Sequence, residues 1–202
     1  MPFDVCGAMS QGYIGYHMQQ GLEKVLRARK NGKRVVTVVT QVVVDKDDPK
    51  FKAPSKPIGP FYTEDEARKL EAEKGYTMKE DAGRGWRRVV ASPMPVEIVE
   101  LDAVKCLMNG GFIAITVGGG GIPVIKDENG NYIGTAAVID KDLASERLAE
   151  DIDADALVIL TAVEQVCINF GKPEQKSLAT MTVEEARRYM AEGHFAPGSM
   201  LP

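Results

Sequence analysis

The sequence predicts an α/β fold in which helices cover a mostly parallel sheet. Residues 34–44, 112–117 and 156–161 consist mainly of β-branched and other apolar side chains, without alternation between apolar and polar positions. Such runs are typical of strands that are buried on both faces. The stretches between them carry apolar residues at helical spacing. This alternation of the two patterns predicts a sheet with helices packed against it.

Two helices follow from the spacing of apolar residues. Ile14, Met18 and Leu22 recur every four residues, and a second apolar stripe spans 98–107 ahead of Gly110. The glycine is expected to end the second helix. Both stripes are expected to pack against the sheet.

Short start and turn signals add three elements. Threonines 63 and 182 are each followed by a glutamate three residues later. This capping-box pattern predicts helices over about 63–74 and 182–192. Asn129-Gly130 predicts a hairpin turn.

Composition and charge exclude several classes of function. The 202 residues carry a formal net charge of −4 with a sequence pI of about 5.4, so nothing general favours nucleic acid or an anionic membrane. The longest apolar run, 156–161, is far shorter than a membrane-spanning helix. Three scattered cysteines without a signal peptide predict a reducing, cytoplasmic setting. With two histidines and no cysteine pair, a zinc site is not expected.

Charge also divides the chain internally. About two fifths of residues 45–100 are charged, against about a fifth of the remaining residues. A segment with so many charges and so little apolar periodicity cannot build much core. We therefore predict that residues 45–100 form a protruding subdomain or lid, and that residues 1–44 and 101–202 form the core.

A glycine-rich loop follows the predicted strand at 112–117. It contains Gly118, Gly119, Gly120 and Gly121. Glycines let the backbone approach a ligand closely and point N–H groups at an anion. The loop lacks the Gly-Lys-Ser/Thr ending of a Walker A motif. A flexible turn would explain the glycines equally well alone, but the position after a central strand favours a phosphate or substrate loop.

A lysine between two aspartates opens a further predicted helix. Asp142 is suited to cap that helix. Lys141, however, is unfavourable at the positive end of a helix dipole unless an anion lies nearby. A lysine held between Asp140 and Asp142 fits a transferring phosphoryl group. We predict a phosphoryl-transfer site here.

Two other segments carry functional signals. Residues 55–62 and 80–88 combine glycines, prolines, basic and aromatic side chains, including the one tryptophan. They predict a closing loop that brings guanidinium groups to a phosphate or carboxylate, with a solvated charged face as an equal alternative. The stretch 193–202 contains a Gly-Ser pair that is typical of a loop contacting nucleotide phosphates.

These motifs occur together in a known family. Along its whole length the chain resembles the carbamate kinases of the amino-acid kinase superfamily. The resemblance implies a mostly parallel three-layer α/β sandwich of the amino-acid kinase type, from which the charged segment protrudes. The runs that carry the resemblance are 4–16, 40–49, 56–62, 80–90, 118–124, 138–144 and 198–202.

The resemblance also implies a reaction. Carbamoyl phosphate and MgADP would give MgATP and carbamate, reversibly, in the arginine deiminase pathway. Mg²⁺ would be held through the phosphates of ATP or ADP, and the family is usually homodimeric. The implied catalytic residues are Lys141, Asp140, Asp142, Lys56 and Arg87, and the implied nucleotide site comprises Thr161, Ala162, Val163, Phe195, Gly198, Ser199 and Met200.

The chain departs from the family pattern at both ends. Family members begin upstream of Met1 with a strand and two glycine-rich loops, and they continue past Pro202 into a helix whose first lysine contacts the nucleotide. The loss of one preorganised donor removes about 3 kcal/mol of transition-state stabilisation. Because two loops and a lysine of the family pattern are absent, we expect this chain to be very slow or inactive alone. The alternatives are a truncated, non-catalytic remnant that binds nucleotide or dimerises, and a related kinase with another acceptor. The runs 56–62 and 80–90 argue against the second alternative.

Overall fold

The computed structural model describes residues 1–81, 83–161 and 163–195 of the chain. Its contacts divide the chain into two units, Met1–Leu157 and Val158–Pro202, and each is described by itself. No helix within the described ranges is long and apolar enough to cross a membrane. The helices are α1 (Phe3–Ala28), α2 (Glu64–Lys74), α3 (Leu101–Asn109), α4 (Lys141–Asp151) and α5 (Val183–Ala191). The strands are β1 (Val35–Thr37), β2 (Gln41–Val44), β3 (Lys56–Tyr62), β4 (Thr77–Glu80), β5 (Trp86–Val90), β6 (Pro95–Ile98), β7 (Ile113–Ile115), β8 (Ile122–Lys126), β9 (Tyr132–Gly134), β10 (Val166–Ile168) and β11 (Lys176–Leu178).

The first unit is built on a four-stranded sheet of order β6-β2-β8-β9. β2 and β8 are parallel, whereas β6 and β9 run antiparallel to their neighbours. A second parallel pair is formed by β1, which precedes β2 along the chain, and β7, which precedes β8. The α/β class is therefore confirmed, with mixed sheets whose parallel pairs are β1-β7 and β2-β8. The buried core cluster comprises Val42, Val44, Ile98, Val117, Ile139 and Ala144.

The predicted strand at 34–44 forms two strands rather than one. β1 ends at Thr37 and β2 begins at Gln41, so residues 38–40 interrupt the ladder. The neighbouring chain is interrupted too, because β7 ends at Ile115 and β8 begins at Ile122. The hydroxyl oxygens of Thr40 and Thr116 lie 2.7 Å apart across these interruptions. We call residues 38–40 and 116–121 together the strand break.

The prediction of a strand at 156–161 is wrong. Residues 155–161 are not helix or strand, and within the described residues no strand pairs with them. Val158 is 78% exposed and Leu160 is 93% exposed. An apolar run becomes a strand only where a neighbouring strand accepts its backbone hydrogen bonds, and hydropathy does not report that partner.

The predicted helices and the hairpin turn are confirmed. Both capping boxes form, with Thr63 and Thr182 accepting from the backbone N–H three residues later. Gly130, at φ 82°, lies in the turn between β8 and β9. The apolar stripe of α1 was expected to pack against the sheet, but it is half exposed. Its members Ile14 and Met18 are each 50% exposed, and the residues that α1 buries are Gln11 and Gly15.

A small antiparallel sheet of order β3-β5-β4 lies within residues 56–90, and α2 contacts β4 and β5. We call these three strands the small sheet. β6 follows it in sequence and pairs with β2 of the core sheet. Just after β5, Ala91 forms a parallel bridge with Ala137, and Val138 N donates to Ala91 O at 2.9 Å. The base of the small sheet therefore lies beside the segment that leads into α4.

The second unit contains the antiparallel pair β10-β11 and helix α5. His194 Nδ1 lies 3.0 Å from Asn169 Oδ1. Phe195 is 8% exposed, and its ring meets that of Tyr189 edge-on with centroids 6.5 Å apart.

Candidate phosphoryl-transfer site

An ion pair joins the small sheet to the start of α4. Lys56 Nζ donates to Asp140 Oδ2 at 2.5 Å. The fold explains this contact, because Lys56 is the first residue of β3 and pairs with Val90 at the end of β5. The next residue, Ala91, is the one that bridges to the segment before α4. Two distant predicted site residues are thus brought together.

Asp140, rather than Asp142, is the N-cap of α4. Its Oδ1 accepts a hydrogen bond of 2.9 Å from the backbone N–H of Asp142. The expectation that Asp142 caps the helix is therefore wrong, since the helix begins at Lys141, two residues earlier than that role requires. With Oδ2 accepting from Lys56, both carboxylate oxygens of Asp140 are engaged.

Electrostatics keep Asp140 ionised. Burial alone would raise the pKa of its carboxyl, but the hydrogen bond from Lys56 and that from Asp142 N outweigh burial. The charges of Lys56 and Lys141 act in the same direction, so the pKa of Asp140 lies below its ordinary value. A negative Asp140 holds Lys56 in place as a cation.

Lys141 is the first residue of α4 and carries its charge into solvent. Its side chain is 70% exposed, and its Nζ lies 3.5 Å from Asp142 Oδ1. An exposed pair of this kind holds the ammonium only weakly. Because the N-terminus of a helix favours negative charge, an anion here would be stabilised by both the helix end and the ammonium group.

The glycine loop adopts a backbone that other residues rarely reach. Gly119, Gly120 and Gly121 have φ of 67°, 106° and 87°. A Cβ on Gly120 would collide with the carbonyl of Ile139, and a Cβ on Gly121 would collide with the side chain of Val42. A Cβ on Gly119 would meet nothing within 4 Å. Two of the glycines thus permit close packing, while Gly119 lies at an open position.

This loop presents unpaired backbone donors. Within the described residues, the N–H groups of Gly118 and Gly119 donate no hydrogen bond. Both glycines line a cavity of about 170 Å³ together with Ser10 and Ile14 of α1. Since Gly120 packs against Ile139, the residue before Asp140, the loop lies next to the start of α4. Unpaired backbone N–H groups of a glycine loop are suited to bind an anion.

Arg87 lies in β5 of the small sheet, and its guanidinium group is held by neighbouring residues of that region. Its Nη1 is 3.3 Å from Asp81 Oδ2, its Nε donates to Gly59 O at 3.2 Å, and its guanidinium lies 5.1 Å from the ring centroid of Phe61. The structure therefore does not bring Arg87 to the Lys56–Asp140 pair.

The predicted nucleotide residues lie in the second unit. The hydroxyl of Thr161 donates to Val163 O at 2.7 Å, and both residues are exposed. Phe195 is buried beside Tyr189. Ala162, Gly198, Ser199 and Met200 lie outside the described residues.

Sequence reasoning missed two buried polar residues beside the glycine loop. Gln11 is 7% exposed and Thr40 is fully buried. The side chain of Gln11 bonds Thr40 N, Thr40 O and Gly118 O. A glutamine in an amphipathic helix gives no signal for this role, although it falls within the family-like run 4–16.

The described residues contain no group of three or more histidine, cysteine or acidic side chains that could hold a metal ion. Asp140, the most buried acid of the site, already uses both oxygens on protein donors. The residues that the structure describes therefore do not form a protein-bound metal centre.

Known proteins resemble the chain over its whole length. It is 62% identical over 201 residues to a carbamate kinase of Clostridium perfringens and 59% identical over 203 residues to a carbamate kinase-like protein of Escherichia coli. Both alignments cover 100% of this chain but 64% of the relative. The chain thus spans about two thirds of the length of these relatives.

Solved structures agree with the sequence relatives. A carbamate kinase from Giardia lamblia bound to AMP-PNP matches with a TM-score of 0.89 and 48% identity, over 100% of this chain and 64% of that one. A protein from Aeropyrum pernix matches with a TM-score of 0.91 and 42% identity, over 100% and 65%. The family model for amino acid kinases matches residues 22–202. The chain belongs to the amino acid kinase family.

Proposed function

We propose that the protein transfers a phosphoryl group between carbamoyl phosphate and MgADP, giving carbamate and MgATP. The observation that carries this proposal is the convergence of Lys56, Asp140 and Lys141 beside a glycine loop with unpaired N–H groups. The names of its relatives, carbamate kinases at 54–62% identity, support the choice of acceptor.

Phosphoryl transfer requires positioning and charge stabilisation rather than a protein nucleophile. The bond between phosphorus and the carbamate oxygen breaks while a bond forms from phosphorus to a terminal phosphate oxygen of ADP. Carbamate leaves as an anion, so no proton needs to move. Lys141 and the free N–H groups of Gly118 and Gly119 would stabilise the transferring oxygens, and Asp140 would keep Lys56 charged and oriented toward them.

The nucleotide and its Mg²⁺ would enter together, as the substrate MgADP or MgATP. Because no described cluster could hold the metal, the nucleotide phosphates are its proposed ligands. The proposed nucleotide residues are Thr161, Ala162, Val163, Phe195, Gly198, Ser199 and Met200. Arg87 would reach the phosphoryl group only after leaving Asp81.

The proposed setting is a cytoplasmic homodimer working in the arginine deiminase pathway, as the family resemblance implies. Exposed apolar side chains on α1 favour association, since Tyr13 and Tyr16 are 69% and 60% exposed. The same observation favours the second candidate, a protein that binds nucleotide or dimerises without turning over.

ATP formation from carbamoyl phosphate and MgADP, with this chain at confirmed intact mass, tests the proposal. Because the chain is expected to be very slow alone, we expect a low turnover, which falls by at least about a further hundredfold in Lys141→Ala, since that variant loses a preorganised cation. Lys33→Ala, an exposed lysine in the loop after α1, is the matched control and should match the wild type. Unchanged turnover in Lys141→Ala would contradict the site. A wild-type chain that binds ADP in calorimetry without making ATP would establish the second candidate instead.

A further inference from the structure

We propose that Gln11 and Thr40 are positioning residues, which hold the glycine loop in its anion-binding shape. The inference rests on the proposed function of that loop. Neither side chain needs to touch substrate, because both act through backbone groups of the strand break.

Gln11 binds both halves of the strand break with one side chain. Its Oε1 accepts from Thr40 N at 2.8 Å, and its Nε2 donates to Thr40 O and to Gly118 O at 3.1 Å each. A glutamine amide can donate two hydrogen bonds, and here both go to backbone carbonyls. Because the side chain is 7% exposed, water does not compete freely for these bonds.

The bond to Gly118 O has a directional consequence. The carbonyl of Gly118 and the N–H of Gly119 belong to the same peptide unit, which is planar and trans. Their directions are opposed, so fixing the carbonyl toward Gln11 fixes the N–H away from it. Gln11 thus orients the unpaired N–H of Gly119, although it does not contact that group.

Thr40 holds the residue before the glycines. Its Oγ1 accepts from Val117 N at 3.1 Å and lies 2.7 Å from Thr116 Oγ1. Val117 has φ 45°, a left-handed conformation that is a clear outlier for a β-branched residue. Such strain persists only where surrounding contacts determine it, and it is concentrated at functional sites. Thr40 and the burial of the Val117 side chain supply those contacts.

The α1 helix offers a matched control. Gln19 Oε1 accepts from both Thr37 N and Thr37 Oγ1 at 3.1 Å. Gln11 and Gln19 therefore lie on one helix, and both bond backbone groups in or just after β1. Only Gln11, of these two, also bonds the glycine loop. Gln11→Met and Gln19→Met remove the same polar atoms while keeping side-chain length.

The experiment is NMR spectroscopy of both ¹⁵N-labelled variants and of the wild type. Amide hydrogen exchange at Val117 and Ile122 is measured in the free protein, and the Gly119 resonance is followed during titration with inorganic phosphate. Gln11→Met should accelerate exchange about tenfold and weaken phosphate binding about tenfold, which is the size of one lost net hydrogen bond. Gln19→Met should lower the urea midpoint by about as much as Gln11→Met does. It should change neither the exchange rates nor the phosphate affinity.

Equal exchange and equal phosphate affinity in Gln11→Met and Gln19→Met would overturn the inference. If Gln11→Met does not fold, Thr40→Val and Thr40→Ser replace it, since serine keeps the hydroxyl that accepts from Val117 N and valine does not. Thr40→Ser should then keep the exchange rates and phosphate affinity of the wild type. Thr40→Val should show the faster exchange and weaker phosphate binding expected for Gln11→Met. A wild-type Gly119 resonance that ignores phosphate would overturn the proposed function, while the exchange rates would still decide the positioning role.

Discussion

The strand break and the small sheet are stabilised by opposite kinds of interaction. In the strand break, Gln11 and Thr40 make neutral hydrogen bonds that are buried. Beside the small sheet, Arg68 of α2 pairs with Glu64 and Glu71 at the surface and lies 4.5 Å from the ring centroid of Trp86 in β5. Salt screens exposed pairs and leaves buried hydrogen bonds largely unaffected.

This difference indicates which part is rigid. The paired polar groups of Gln11 and Thr40 hold one backbone arrangement, so the glycine loop is preformed. The ion pairs beside the small sheet are exposed, so their contribution to stability depends on ionic strength. The Lys56–Asp140 pair links the two regions, at the base of the small sheet and at the start of α4.

Within the glycine loop, two neighbouring substitutions should differ sharply. Gly120→Ala should lower the free energy of unfolding by about 3 kcal/mol, because the new Cβ would collide with a backbone carbonyl and φ is positive. Gly119→Ala should cost about 1 kcal/mol, from positive φ alone, since nothing lies within 4 Å. Urea unfolding at pH 7 measures both values. Equal losses would show that the loop is not packed as described.

The Lys56–Asp140 pair should make stability depend on pH. The pKa of Asp140 is lower in the folded protein than when the chain is unfolded, so the pair stabilises the fold above about pH 4 and loses this effect as pH falls through the folded pKa. Asp140→Asn keeps a good helix cap and removes the charge. We expect a cost of about 1.5 kcal/mol at pH 7 that shrinks toward zero in acid. A cost independent of pH would contradict the ionic role.

The capping box of α2 should contribute to the free energy of unfolding through hydrogen bonds to the backbone. Thr63 accepts from Glu66 N at 3.3 Å, and Glu66 Oε2 accepts from Thr63 N at 2.9 Å. Thr63→Ala should therefore cost about 1 kcal/mol. Thermal unfolding of the wild type and the variant measures this cost. Thr63→Ser, which keeps the hydroxyl, is the control. A serine variant as unstable as the alanine variant would mean that the hydroxyl is not the cause.

The smallest effect is expected at an exposed pair on α2. Lys69 Nζ lies 3.8 Å from Glu73 Oε1, and both side chains are more than half exposed. Lys69→Gln should cost about 0.3 kcal/mol in low salt and nothing measurable in 1 M salt. Chemical unfolding by urea at the two salt concentrations checks this. The same salt should leave the cost of Gly120→Ala unchanged.

The sequence was most informative where a single local motif determines the structure. Both capping boxes and the Asn129-Gly130 turn form as predicted, because each depends on a few adjacent residues. The predictions for 34–44 and 156–161 failed for a shared reason. Whether an apolar run stays a strand depends on its neighbours, and these are distant in sequence.

The candidate site divides in the same way. The glycine loop and the Asp140-Lys141-Asp142 motif were visible in the sequence, since glycine and charge at a helix start are local signals. The capping role of Asp140 was missed, because Asp142, two residues later, fits the same pattern. Gln11 carries no local signal, since its partners Thr40 and Gly118 lie 29 and 107 residues away in sequence.

We expect the base of the small sheet and the glycine loop to bind one anion together. Titration of ¹⁵N-labelled wild type, Lys56→Met and Lys33→Ala with inorganic phosphate, following the Gly119 resonance, tests this expectation. Phosphate should shift Gly119 equally in the wild type and in Lys33→Ala, and Lys56→Met should weaken binding about tenfold, as the loss of one charged contact would. Identical binding curves for Lys56→Met and the wild type would contradict the claim.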